Sequence, residues 1–299
     1  MMYKDIFKEF LIECEYRNLS KRTLKNYRCH LRLFNEFLEK SDISELSEIN
    51  ASLIKRFILA KKDKNCKVVY LNGIIKTLNA FFKYCDAEGY LQNFMPSVKF
   101  LKGPKPIIKT FTNEEVKRML DVYSGKDYLS IRNKLVLAVF FDTGIRNFEL
   151  CNIKDSDVKD SFIRIFGKGR KERVVPISTY VARIKVRYER ARNGYFKKAI
   201  RHDDNYFLSR TGRKLTVEAV ERIVRIAGDK ANVDSHIRCS PHTCRHYYAQ
   251  SSLLNGIDIY TVSRLLGHSN VSITQVYVRS MMDSDILDVG REHSPLMNL

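Results

Sequence analysis

Residues 101–110 read Leu-Lys-Gly-Pro-Lys-Pro-Ile-Ile-Lys-Thr. Two prolines and a glycine among three lysines cannot continue a helix, because proline lacks the N–H and its ring clashes with the preceding turn. This segment divides the 299-residue chain into two folding units. The length fits two domains of roughly 100–200 residues each. The division is placed at 1–102, a linker at 103–111, and 112–299, with a C-terminal tail from about 283. A hydrophobic share of 44 % excludes a wholly disordered chain.

The first unit reads as helices. Ser20 suits an N-cap, and Leu24, Tyr27, Leu31, Phe34 and Leu38 follow at helical spacing on one face. Lys21, Lys25, Arg28 and Arg32 line a different face of the same helix, a basic stripe suited to phosphates. Leu71, Ile74, Leu78, Phe81 and Cys85 repeat the pattern, and weaker helices precede each, near 3–17 and 51–62. Four or five short helices make a small all-α domain.

The second unit mixes elements. Thr112 and Glu115 form a capping box, and helices are expected at 113–123, 130–141 and 146–153. Two short strands, 161–166 and 172–177, flank Gly167-Lys168-Gly169-Arg170-Lys171 as a hairpin. A helix at 179–192, a short strand at 206–208 and a helix at 216–228 follow. Ser240-Pro241 starts a helix that Gly256 ends, and Asp258 caps one that Gly267 ends. The fold class is mainly α with a small β-sheet.

Lysine and arginine outnumber acids 53 to 34, a formal charge of +19. The excess is shared: residues 1–102 carry 19 basic and 12 acidic side chains, and 103–299 carry 34 and 22. Both units should attract a polyanion, of which nucleic acid is the commonest. The longest apolar run, Leu135 to Phe141, falls far short of the roughly 20 residues that span a bilayer. The start, Met1-Met2-Tyr3-Lys4-Asp5-Ile6, has no apolar stretch of a secretory signal. The expectation is a cytoplasmic chain with no membrane partner. Seven scattered cysteines without a CxxC pair read mostly as small core residues.

Five short signals fall in order: Thr143-Gly144-Ile145-Arg146-Asn147-Phe148-Glu149-Leu150; Lys168 between two glycines; Pro241-His242-Thr243-Cys244-Arg245-His246; Leu265-Leu266-Gly267-His268-Ser269; and Tyr277. Each is weak alone and strong in this sequence of spacings. Together they resemble the tyrosine recombinases of the lambda-integrase class, close in layout to the Xer type. The resemblance implies an all-α core-binding domain at 1–102 and a mixed α/β catalytic domain at 112–299. It implies Arg146, Lys168, His242, Arg245 and His268 as the catalytic set and Tyr277 as nucleophile. It further implies strand exchange between paired sites on double-stranded DNA through a covalent 3′-phosphotyrosine, by a homo-tetramer on DNA, with accessory proteins left open. Integration or excision of a mobile element and resolution of dimers both use this chemistry.

The chemistry suits these residue types. A phenol with a reference pKa of about 10 needs help to attack at neutral pH, and a covalent intermediate splits one hard displacement into two. Arg146 and Arg245 would fork onto non-bridging phosphate oxygens where charge grows. Glu149 would hold Arg146 from the same helix. Lys168, on a glycine hairpin, would protonate the leaving 5′-oxygen. His242 would take the phenolic proton or position the phosphate, and His268 would donate to it. His246 reads as a packed or supporting residue, outside the catalytic set. Arg170, Lys171 and Arg173 read as DNA-backbone contacts.

Other functions are weighed against this one. Cys239, His242, Cys244 and His246 crowd like zinc ligands, but on a helix 242 and 244 point about 200° apart, so no metal site or cofactor is expected. Asp203 and Asp204 beside His202 are the only dense acidic spot and read as a loop, not a metal-dependent nuclease centre. A type IB topoisomerase-like DNA relaxase and a silent DNA-binding regulator are the alternative functions. Cys244 stands where many relatives carry leucine, which suggests sensitivity to oxidation. Ile286, Leu287 and Val289 in the tail suggest a short helix that docks on a neighbour or on its own domain.

Overall fold

A computed structural model describes residues 2–103, 108–167, 172–197, 200–278 and 291. The chain separates into two compact units, Met1–Lys105 and Pro106–Leu299.

The N-terminal unit is four helices: α1 (Tyr3–Tyr16), α2 (Lys21–Glu39), α3 (Ala51–Lys62) and α4 (Val68–Ala87). Ser20 caps α2 by accepting from the Thr23 N–H, and Asn50 caps α3 through Leu53. The apolar stripes of α2 and α4 meet in one core. Leu71, Ile74, Leu78, Phe81 and Cys85 of α4 are all shut from solvent. Phe81 sits edge-on to Phe7 and Phe10, with centroids 4.8 and 5.6 Å away. One polar pair interrupts this core. His30 Nδ1 lies 2.7 Å from Thr77 Oγ1, which itself donates to the Gly73 carbonyl. The threonine proton is thus committed, so His30 donates from Nδ1.

The C-terminal unit contains α5 (Asn113–Asp121), α6 (Tyr128–Thr143), α7 (Asn147–Asn152), a hairpin of β1 (Phe162–Phe166) and β2 (Glu172–Pro176), α8 (Thr179–Phe196), α9 (Val217–Lys230), α10 (Pro241–Leu254), α11 (Ile259–Leu266) and α12 (Gln275–Val278). The chain is therefore mostly helical with a two-stranded sheet, as its patterning implies. Thr112 and Glu115 close their capping box, and Ser240 caps α10 with Pro241 in its first turn. Helix α6 is buried from Leu135 through Phe141, and such all-round apolarity belongs to the centre of a domain. The hairpin pairs antiparallel from Phe162 with Pro176 to Phe166 with Glu172.

Tyr206–Leu208 differs from its expected strand. Only isolated bridges form there, Lys154 with Asn205 and Leu208 with Lys214. Side chains take the carbonyls that a partner strand would have used. Tyr188 Oη donates to Tyr206 O at 2.6 Å, while Tyr128 Oη and Arg132 Nη1 donate to Leu208 O at 2.8 and 2.9 Å. The tail from 283 lies outside the described residues except for Arg291. Among the described residues no helix is long and apolar enough to cross a membrane.

Candidate active site

Two glycines shape the ground on which the site stands. Gly144 ends α6 with φ +59°, and a Cβ there would lie 2.4 Å from Tyr248 Cδ1. Both the backbone angle and the close ring require glycine. The turn throws Arg146 to the N-terminus of α7. Gly267 ends α11 with φ +67°, and a Cβ there would lie 3.0 Å from the Arg173 side chain. That turn delivers His268.

Arg146 is then held from two sides. Its Nη1 donates to Glu149 Oε1 at 2.9 Å, its backbone N–H to Oε2 at 2.8 Å, and its Nη2 to the Gly267 carbonyl at 3.1 Å. Its side chain remains 45 % exposed, so one face of the guanidinium is open to a ligand. Arg245, on α10, is only 3 % exposed. It donates Nη1 to Gly144 O at 2.7 Å and Nη2 to Leu266 O at 2.8 Å. Burial and the nearby Arg146 push its pKa down to about 10, a cation held where water is scarce.

Tyr277 lies on α12 against α10, 4 % exposed and packed with Tyr248, Ala249, Val262 and Leu266. Burial raises the phenol above its ordinary value, while Arg245 and then Arg146 pull it down. Two imidazoles flank it, and a third stands behind one of them. The rings of His246 and His268 lie 5.3 and 6.3 Å from the Tyr277 ring, centroid to centroid. His242 lies 4.1 Å from His246 on the next turn of α10. His268 Nδ1 is 2.8 Å from Thr274 Oγ1, which fixes the ring. Burial and the arginine charges push His268 down to about 4, and burial with His242 and Arg245 does the same for His246. Partial burial and the charges of Arg245, Arg146 and Arg238 lower His242. All three rings are thus biased toward the neutral form.

The structure thus brings together Arg146, Glu149, His242, Arg245, His268 and Tyr277 from four separate stretches of chain. Lys168, Arg170 and Lys171 lie outside the described residues. Lys21, Lys25, Arg28 and Arg32 are all exposed on α2. Two of them are engaged: Arg28 pairs with Glu15, and Arg32 stands 4.0 Å from Glu36.

Arg173 requires a correction. Expected to face the DNA backbone, it turns inward, its side chain 13 % exposed. Its Nη1 and Nη2 donate to the two Glu149 oxygens at 2.9 and 2.7 Å, and its Nε to Leu265 O at 2.9 Å. A guanidinium so committed has little left for a solvent-side phosphate. The signal was present in the strand pattern. Arg173 stands two residues before buried Val175, and strand alternation puts both on the inner face.

His246 is closer to the chemistry than a packed residue need be. Its Nδ1 is buried with no hydrogen-bond partner among the described residues, and its ring lies between His242 and Tyr277. Cys244 faces the other way, shut from solvent, with its thiol pushed well above its usual value. Burial and the raised thiol both work against the oxidation that the sequence suggests. Asp203 and Asp204 do not converge: Asp204 pairs with Lys154 at 2.8 Å, and Asp203 accepts from the Lys214 N–H.

Residues 109–283 match the model of the phage integrase family, and residues 5–89 match that family's N-terminal SAM-like domain. The chain belongs to the phage integrase family. A curated relative, the tyrosine recombinase XerC of Halalkalibacterium halodurans, is 31 % identical over 285 residues, 93 % of each chain. The tyrosine recombinase XerD of Staphylococcus saprophyticus is also 31 % identical, over 97 % of this chain and 98 % of that protein. With such relatives along nearly its whole length, the chain is a site-specific recombinase of the tyrosine type, and neither alternative function is favoured. Among solved structures, the XerA recombinase covers 98 % of this chain at 26 % identity with a TM-score of 0.55. A lambda integrase dimer bound to a core site shares the fold, with a TM-score of 0.74 at 17 % identity over 95 % of this chain and 97 % of that one.

Proposed function

We propose that Tyr277 attacks a phosphodiester of double-stranded DNA and becomes linked to its 3′ end. The observation that carries this reading is the Tyr277 phenol buried between neutral imidazoles and beside the paired cations Arg146 and Arg245. A phosphate seated on Arg146 and Arg245 would face that phenol. The Tyr277 oxygen forms a bond to phosphorus, the bond from phosphorus to O5′ breaks, and both guanidiniums steady the charge on the non-bridging oxygens. The phenolic proton passes to His242, and Lys168 protonates the departing O5′. His268 donates to the phosphate, and Glu149 holds Arg146. The 5′-hydroxyl of a partner strand then reverses the step, so bond energy is kept and no cofactor is consumed.

The division at 1–102, 103–111 and 112–299 makes the N-terminal unit a core-binding domain and the basic face of α2 a backbone contact. Solved relatives include a lambda integrase tetramer bound to a Holliday junction and a XerH recombinase bound to a palindromic difH substrate. Four subunits on two paired sites, working in the cytoplasm, fit the present chain as well.

The test uses a nicked duplex built on the sequence that the full chain selects from a randomised duplex library. The wild-type chain should form a covalent adduct on it, with or without EDTA. Tyr277→Phe should abolish the adduct and leave duplex affinity within about threefold, since a phosphate-contact set and not one hydroxyl sets affinity. Mass spectrometry should find the DNA on Tyr277. Cleavage with free ends, or an adduct on another residue, would reject the assignment.

A further inference from the structure

Arg173 has no role in the assignment above, yet it ties three parts of the site together. It stands on β2, paired with Ile165 of β1 in the hairpin stem. Its two terminal nitrogens straddle the Glu149 carboxylate at 2.9 and 2.7 Å. Its Nε reaches the Leu265 carbonyl at 2.9 Å, one residue before the end of α11. Its aliphatic stem and guanidinium lie along Gly267, where a Cβ would meet them at 3.0 Å.

Glu149 is 6 % exposed, and both its oxygens are shared between the two arginines. Oε1 accepts from Arg146 Nη1 and Arg173 Nη1, and Oε2 accepts from the Arg146 N–H and Arg173 Nη2. A buried carboxylate with a single cation is free to swing with it. One gripped by a second, planar fork keeps a single orientation. The Gly267 carbonyl that takes Arg146 Nη2 belongs to the turn Arg173 packs against.

We infer that Arg173 is a positioning residue: it fixes Glu149, and through it Arg146, while clamping the turn that carries His268, so that the hairpin stem sets the shape of the phosphate seat. This rests on the reading of Arg146, His268 and Tyr277 given above. The strand register of the hairpin and the spacing of the two phosphate-binding arginines are then one mechanical unit.

The test compares wild-type, Arg173→Gln and Arg173→Lys full-length chains on the same nicked duplex. Adduct formation is followed in single turnover at saturating DNA, with affinity and thermal melting measured in parallel. Displacing a reacting arrangement by about 1 Å costs on the order of 100-fold, so Arg173→Gln should lose about that much rate. Duplex affinity should stay within about threefold. Arg173→Lys keeps the charge but not the fork, and its rate should fall between the two. The combined Arg173→Gln, Glu149→Gln variant should lose clearly less rate than the product of the two single losses, because Arg173 acts in part through that carboxylate.

A pH profile separates positioning from bulk stability. Glu149 contacts Arg146 and Arg173 and interacts through charge with Arg245. Burial raises its carboxyl, and the grip of Arg173 with that of Arg146 holds it below the usual range. Without Arg173 the carboxyl should rise, take up a proton as pH falls, and release Arg146. His268, at about 4, and Arg245, at about 10, keep their states between pH 6 and 8. The ratio of Arg173→Gln to wild-type rate should therefore drop on going from pH 8 to pH 6. Wild-type rates at saturating DNA with weakened affinity would make Arg173 a DNA contact and overturn the inference. A rate loss that tracks the melting temperature, is flat in pH and multiplies in full with that of Glu149→Gln would also overturn it. Should the wild-type chain form no Tyr277 adduct, the reading of the site itself falls, and that control is read before any variant.

Discussion

At the centre of the N-terminal unit Phe7, Phe10, Phe81 and Phe82 meet ring to ring, and the buried polar side chains there are His30 and Thr77. At the centre of the C-terminal unit Arg132, Arg192, Lys185 and Arg245 are buried among apolar residues. The first arrangement is a hydrophobic core in the simplest sense: apolar area leaves water and asks for no partner. The second carries a cost, because a buried cation must replace its water with good acceptors.

The C-terminal unit meets that cost in two ways. Arg192 pairs with Asp155 at 2.6 Å and also donates to Tyr206 O, and Arg132 donates to Leu208 O. These two hold the 205–208 stretch in place. Arg245 instead donates to two carbonyls and lies among like charges, Arg146 and Arg173. Burial of an arginine is therefore no sign of function by itself. A buried arginine beside other arginines, with one carboxylate among three guanidiniums, leaves positive charge to be matched by an anionic ligand.

Variants can break this contrast. The largest effect is expected from Phe81→Ala, which leaves a cavity among three rings and should cost about 3–5 kcal/mol of stability. Denaturant titration of the full chain measures it. Duplex affinity should fall as the N-terminal helices loosen, while chains that remain bound should still form the Tyr277 adduct. An equal collapse of cleavage at saturating DNA would show that the two cores are not separable in role.

Next comes Arg245→Lys. A lysine cannot span Gly144 O and Leu266 O and still face a phosphate. Losing one preorganised donor of this kind costs about 100- to 1,000-fold in rate. The expected result is that loss in single-turnover adduct formation with nearly unchanged affinity. Weakened binding with full cleavage would make Arg245 a docking residue.

Acid should act more strongly on the C-terminal unit. His246 and His268 titrate near 4 in the fold against 6.5 as the ordinary value. Their contribution is complete above pH 6.5 and is lost as pH falls toward 4, because the unfolded chain binds the protons first. His30 of the N-terminal unit is lowered by burial in the same sense, but it stands alone there. Hydrogen exchange at pH 7 and pH 5 should show protection falling first in α10 to α12. Equal loss in α2 and α4 would contradict the contrast. The smallest effect belongs to Lys25→Ala on the exposed face of α2. It should lower the salt slope of duplex binding by about 1 and leave adduct formation at saturating DNA unchanged.

Much of this molecule is written locally. Ser20, Asn50, Thr112, Thr216, Ser240 and Asp258 each cap a helix by accepting from an N–H two or three residues ahead. The stripes of α2 and α4 repeat within one turn. Such interactions span a few residues, so composition, spacing and order alone determined the helices, the hairpin and the family motifs. The direction in which Arg173 turns, the reach of Arg146 to Gly267 and of Arg245 to Leu266, and the place of His246 beside Tyr277 were decided only in three dimensions. These contacts join residues 24, 121, 21 and 31 positions apart. No local periodicity encodes them, because which side of a strand or turn meets which carbonyl is set by packing of whole elements against one another.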